Sequence, residues 1–243
     1  MRRELRGAVL ALALTVATLA VPSTPAMAAD APLRLTHEQL EAKYADKDSR
    51  FALIDDVRLH YKDQGQGPAI LLIHGSMGDL WDWDGWARVL ALHHRVVRLD
   101  LPGFGISGAI GNGNYSIDRS LSLIDGLMDE LGIERFALAG VSYGGPIAFR
   151  YAATRTGRVT GLVIMNSAGI EYGKQAVDPK TGEKSYYKAT TTGAVTREFI
   201  AKGLRASFSN PELVSEAMLD RKYDVMNAEG RAEEAAIMIR QYV

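Results

Sequence analysis

Residues 136–145 read Phe-Ala-Leu-Ala-Gly-Val-Ser-Tyr-Gly-Gly, and the change of character along this stretch decides the fold. Phe136 to Val141 is continuously apolar rather than alternating, which is how a parallel strand buried on both faces reads. Gly140-Val141-Ser142-Tyr143-Gly144 then fits G-x-S-x-G, the turn at which a strand passes into a helix so sharply that side chains on either flank of the serine would collide. Glycine at 140 and 144 removes that collision, and Ser142 is left exposed at the head of a helix running from about Gly145 to Ala153. The pentapeptide alone is weak evidence. The buried strand ahead of it and the helix behind it supply the weight.

Working outward, Ala69 to Ile73 is a second buried-strand run and ends in His74-Gly75-Ser76-Met77-Gly78. Glycines there let the backbone turn so that an amide can face a developing oxyanion. Leu162 to Met165 is a third such run, and Val96 to Leu99, interrupted by Arg98, a fourth. Ser116 to Leu131 carries Leu121, Ile124, Leu127, Met128 and Leu131 on one helical stripe, with Gly132 as its stop. Strand, helix, strand in alternation predicts a doubly wound, mostly parallel α/β sheet. Phe51 to Ile54 and Val57 to Tyr61 form a hairpin about Asp55-Asp56. Residues 29–49 are a polar lead-in without a core element, and 50–169 make the core domain. From 170 to 243 the chain reads as a helical cap: a polar stretch with turn signals at Asp178-Pro179 and Thr181-Gly182, then stripes at Val195, Phe199, Ile200 and Leu204. A second segment opens with Asn210 as N-cap and Pro211 at the first helical position. A third runs from near Asn227 to Val243.

The 243 residues are 47% hydrophobic and 23% charged, with 28 Lys+Arg against 29 Asp+Glu, which excludes a disordered or collagen-like chain. Near-neutral charge without a basic cluster argues against nucleic acid as partner. The absence of Cys removes disulfides, thiolate metal sites and thiol nucleophiles. His93-His94 have no ligand at helical spacing, so no metal site is expected, and no phosphate loop is present. Arg2, Arg3 and Arg6 precede an apolar run from Ala8 to Val21, too short to span a bilayer, and Ala26-Met27-Ala28 fits a signal-peptidase site. Residues 1–28 are therefore expected to be a signal peptide cleaved after Ala28, giving a secreted or periplasmic protein with no stable membrane anchor. Without them 25 basic residues face 28 acidic ones, a formal charge of −3.

Taken together, the motifs resemble the α/β-hydrolase superfamily. Asp100-Leu101-Pro102-Gly103-Phe104-Gly105-Ile106-Ser107 is similar to the D-x-P-G-x-G-x-S segment after that family's fourth strand, and Val163 to Gly169 is similar to the end of its sixth strand. The resemblance implies Ser142 as nucleophile and the backbone N–H groups of Ser76 and Tyr143 as oxyanion donors, with His74, Gly75, Gly140 and Gly144 supporting them. Haloalkane dehalogenases and epoxide hydrolases of this fold place aspartate at the elbow; a serine implies acyl transfer without a cofactor, on a small to medium ester or related acyl compound. C–C bond hydrolysis and cofactor-free haloperoxidase behaviour are sister activities, and a non-catalytic binding protein on the same scaffold is the alternative from another class.

A serine hydroxyl needs a base, and the base an acid. In this fold they follow the serine in chain order. The five histidines are His37, His60, His74, His93 and His94, and none follows Ser142. The chain is thus expected to be an inactive fragment lacking the acid and base, which the resemblance places on two further strand-helix units of roughly 30 residues each. A substitute triad of His74, Asp100 and Ser142 is conceivable, but the resemblance gives His74 and Asp100 structural roles. Trp81, Trp83 and Trp86 either line an acyl pocket or pack, with packing preferred. Tyr186 and Tyr187 in the cap segment are similarly open.

Overall fold

A computed structural model describes residues 34–167 and 195–242. The signal peptide, the polar stretch after Ala168 and the pair Tyr186-Tyr187 lie outside the described residues.

The hairpin forms as its pattern predicts: β1 (Arg50–Ile54) pairs antiparallel with β2 (Val57–Gln64), Ile54 opposite Val57, with Asp55 in the turn at φ +51°. β3 (Ala69–Ile73), β4 (Arg95–Leu99), β5 (Phe136–Val141) and β6 (Val159–Met165) complete a sheet of order β1-β2-β4-β3-β5-β6. The last four strands are parallel, and β2 joins β4 antiparallel. Helices α2 (Asp84–Leu90), α3 (Ile117–Glu130) and α4 (Gly144–Thr154) connect them. Ser116 caps α3 by accepting from the Arg119 amide, and Gly132 follows it at φ +65°.

The alternation of the pleat sorts the apolar strand residues into two cores. Leu71, Ile73, Val97, Leu99 and Leu138 pack with Leu121, Ile124, Leu127 and Met128 of α3 and Ile147 and Ala148 of α4. Leu72, Val96 and Ala139 face the other way, against Trp83 and Ala87. Arg98, the interruption in β4, is buried because its guanidinium pairs with Asp84 and donates to Gln64 Oε1 at 2.8 Å and the Leu80 carbonyl at 3.3 Å.

Three readings of the sequence change. Residues 29–49 contain a helix, α1 (His37–Tyr44), closed by a capping box between Thr36 and Gln39. Its single buried apolar residue, Leu40, gave no periodic signal, yet it packs with Leu80, Trp81 and Val225. Asn210 and Pro211 open only a short 3-10 turn, Pro211–Leu213. After α5 (Arg197–Ser207) and that turn, α6 (Glu216–Met226) starts behind its own cap, Ser215, and α7 (Arg231–Tyr242) starts after Gly230 rather than at Asn227. Finally, β6 ends the sheet among the described residues; Leu162 is 42% and Val163 50% exposed, so this run is not buried on both faces.

Candidate active site

Ser142 stands between β5 and α4 at φ +51°, a left-handed backbone that an L-residue adopts at a cost. Its N–H donates to the Met165 carbonyl at 3.0 Å, and its own carbonyl accepts from Gly145 N–H at 3.1 Å. The steric argument for the flanking glycines is visible in distances. A Cβ on Gly140 would lie 2.3 Å from the Gly144 carbonyl oxygen, and one on Gly144 would lie 2.5 Å from that of Ile73 and 2.6 Å from that of His74.

β3 runs beside β5 with Ile73 level with Gly140, so the two strand exits emerge together. A Cβ on Gly75 would sit 3.0 Å from Ser142 Cβ and 3.6 Å from its Oγ. The residues that follow each of these are Ser76 and Tyr143. The loop after His74 closes as a turn, Gly78 N–H donating to the Gly75 carbonyl at 3.0 Å, with Met77 at φ +61°. The left-handed residue is a methionine, and the glycines answer to space: a Cβ on Gly78 would meet Asp82 Oδ2 and the Gly75 oxygen, each at 2.8 Å. α4 adds the positive end of its dipole behind Ser142 and carries no acidic residue in its first turn. The Phe104 ring stands 5.2 Å from that of His74 and 5.9 Å from that of Tyr143, lining this region.

The environment of His74 decides what it can do. It is fully buried; Nδ1–H donates to the Gly75 carbonyl at 2.7 Å, and Nε2 accepts from the Leu101 amide at 2.9 Å. Both nitrogens are occupied, so the ring has no lone pair to take a proton from Ser142. Asp100 is committed elsewhere. Its carboxylate accepts from Leu80 N–H at 2.7 Å, from Ile106 N–H at 2.9 Å and from His60 Nδ1 at 2.7 Å. A Cβ on Gly105 would fall 2.0 Å from the Asp100 carboxyl carbon, which is why that residue of the D-x-P-G-x-G segment has no side chain. The geometry therefore favours structural roles for both.

His60 was not legible as part of any constellation. Its Nε2 meets Ser49 Oγ at 2.9 Å, completing a serine–histidine–aspartate chain with Asp100 in which His60 and Asp100 are buried and Ser49 is half-buried. That serine also accepts from the Asp46 amide at 3.1 Å in the turn before β1, so the chain ties β2 to the β4 exit rather than presenting a nucleophile. Trp81 and Trp83 are buried and packed, Trp81 against His60 at 5.1 Å, while Trp86 is exposed on α2. His93 is exposed and His94 half-buried at the end of α2.

Among the described residues no acid or base is hydrogen-bonded to the Ser142 hydroxyl.

Comparison with known proteins agrees with the architecture. The chain is 38% identical over 112 residues to haloalkane dehalogenase 2 of Mycobacterium tuberculosis, covering 45% of this chain and 38% of that protein. It is 36% identical over 119 residues to a 2-hydroxymuconate semialdehyde hydrolase of Pseudomonas sp., covering 48% and 42%. A meta-cleavage product hydrolase of Pseudomonas fluorescens superposes with a TM-score of 0.66 at 26% identity, over 78% of this chain and 67% of that one. The chain spans 38% and 42% of the length of these two curated relatives. Residues 68–210 match the alpha/beta hydrolase fold family, and with the sheet order and the turn at Ser142 the chain belongs to that family of hydrolases.

Proposed function

We propose that the protein is a serine hydrolase in which Ser142 attacks a small to medium ester or related acyl compound and carries the acyl group as a covalent intermediate. The observation that bears this reading is the strained backbone of Ser142, held at φ +51° between a buried strand and a helix N-terminus with Gly75 packed against it. In this scheme the backbone N–H groups of Ser76 and Tyr143 stabilise the oxyanion, and α4 adds its dipole. His74 holds the oxyanion loop through the Gly75 carbonyl. His74 is not the general base in this scheme, because both its ring nitrogens are engaged. Helices α5 to α7 form part of a cap over the strand ends. The substrate is a small molecule; neither nucleic acid nor a stable membrane anchor belongs to the reading, and the chain is exported after cleavage at Ala28.

A second reading is C–C bond hydrolysis, favoured by the likeness to proteins named as a 2-hydroxymuconate semialdehyde hydrolase and a meta-cleavage product hydrolase. The dehalogenase likeness carries less, because that class implies aspartate where this chain has Ser142.

The test is a fluorophosphonate probe on the complete gene product with Ser142→Ala as control, followed by turnover of an ester panel and of vinylogous diketones. Labelling lost in the variant and ester turnover support the reading; equal labelling of both refutes it. Preference for the diketones supports the second reading, and binding without turnover across the panel a non-catalytic binding protein. Amino-terminal sequencing of exported material should begin at Ala29.

A further inference from the structure

The loop that would bear the oxyanion donor is not held by its own strand alone. Lys222, on α6, is 2% exposed, and its ammonium reaches across to the far side of that loop. Nζ lies 2.9 Å from Asp79 Oδ2 and 2.8 Å from Asp82 Oδ1. Arg221 Nε stands 3.5 Å from the same Asp79 oxygen and its guanidinium is stacked 4.8 Å from the Trp81 ring centre.

The two carboxylates are part of the loop's own construction. Asp79 Oδ1 accepts from Trp81 N–H at 3.1 Å, and Asp79 N–H donates back to Asp82 Oδ2 at 3.1 Å, a reciprocal cap of the 3-10 turn Leu80–Trp83. Asp82 Oδ2 lies against Gly78, 2.8 Å from where a Cβ would be, and Gly78 in turn closes the turn onto Gly75. A continuous set of contacts thus runs from Lys222 through Asp82 and Gly78 to Gly75 and Ser142.

Electrostatics make Lys222 hard to replace. Asp79 is fully buried, and two carboxylates this close repel unless a cation sits between them. Burial resists ionisation of Asp79, but Lys222 and Arg221 outweigh it and hold its carboxyl below the ordinary range; burial and the Asp79 charge push Asp82 up. Removing one partner of a buried ionic group leaves the others uncompensated.

We propose that Lys222 is a positioning residue, through which α6 holds the Gly75–Gly78 turn, and with it the Ser76 amide, in register with Ser142. The tether rests on the reading of Ser142 as nucleophile only for its effect on rate, not for its effect on the loop.

The experiment compares full-length wild type, Lys222→Met and Lys222→Arg by amide hydrogen exchange and by turnover of p-nitrophenyl acetate. In Lys222→Met, amides of residues 76–82 should exchange at least about tenfold faster while β3 and β5 keep their protection, since only the local opening changes. Turnover should fall about 10- to 100-fold in kcat with KM within about twofold, because a displaced donor is felt in the transition state. Lys222→Arg should restore part of both. Unchanged exchange in 76–82, uniformly faster exchange throughout, or local loosening with kcat intact would each overturn the proposal. If Lys222→Met does not fold, Asp82→Asn, at a side chain 34% exposed, takes its place, with local exchange about threefold faster expected and no change overturning it. Equal fluorophosphonate labelling of wild type and Ser142→Ala would instead defeat the nucleophile, and the exchange data would still decide the tether.

Discussion

Gly140 and Gly144 face each other across the turn at Ser142 so closely that a Cβ on the first would lie 2.3 Å from the carbonyl oxygen of the second. The obstacle is backbone, which cannot swing aside as a flexible side chain would. Gly140→Ala should therefore destabilise the fold by at least the upper end of the about 1 to 3 kcal/mol typical of overpacking. Urea unfolding checks this. A loss under about 0.5 kcal/mol, the scale of an ordinary surface change, would show that the turn relaxes freely.

The strain at Ser142 has its own signature. Its φ of +51° costs an L-residue about 1 to 2 kcal/mol and a glycine almost nothing. Ser142→Gly should thus be more stable than Ser142→Ala by about 1 kcal/mol, the reverse of the order inside a helix. Paired denaturation curves of the two variants measure it directly.

His74→Ala separates support from catalysis. The change strands the buried Leu101 amide, worth about 1 to 3 kcal/mol when left unpaired, and takes from the Gly75 carbonyl one of its two donors, leaving it Gly78 N–H. The expected result is a large drop in melting temperature. Loss of turnover with an unchanged melting temperature would restore His74 as a candidate base.

Acid should weaken the molecule through Asp79. Its folded carboxyl is held below the ordinary 3.8, so the stability it contributes is complete above that pH and is lost as pH falls through the lower folded value. Wild type should lose stability steeply below about pH 4, and Asp79→Asn should flatten that part of the curve. Urea midpoints from pH 5 down to pH 2 provide the comparison.

At the other end of the sheet, Leu162 and Val163 present apolar surface on β6. A solution of this chain should bind a hydrophobic dye such as anilinonaphthalene sulfonate and associate as concentration rises. Leu162→Gln with Val163→Lys should reduce both, read by dye fluorescence and light scattering.

What the sequence determined by itself was local. The glycine spacing around Ser142, the apolar runs of β3 and β5, the stripe and caps of α3 and the Asp55-Asp56 hairpin all express requirements that act within a few residues, through sterics and period. That is why the α/β sheet, the strand-turn-helix at Ser142 and the loop after His74 could be read directly. Tertiary structure alone decided the partners. His60 carries no local mark, yet it joins Asp100, 40 residues on, and Ser49. The same is true of Leu40, the one buried apolar residue of its helix, and of Lys222, which reads as a surface residue until Asp79 and Asp82 close around it across 140 residues of chain. A charge or a lone apolar side chain has no period, and burial makes it meaningful only when the rest of the molecule has brought its counterpart into reach.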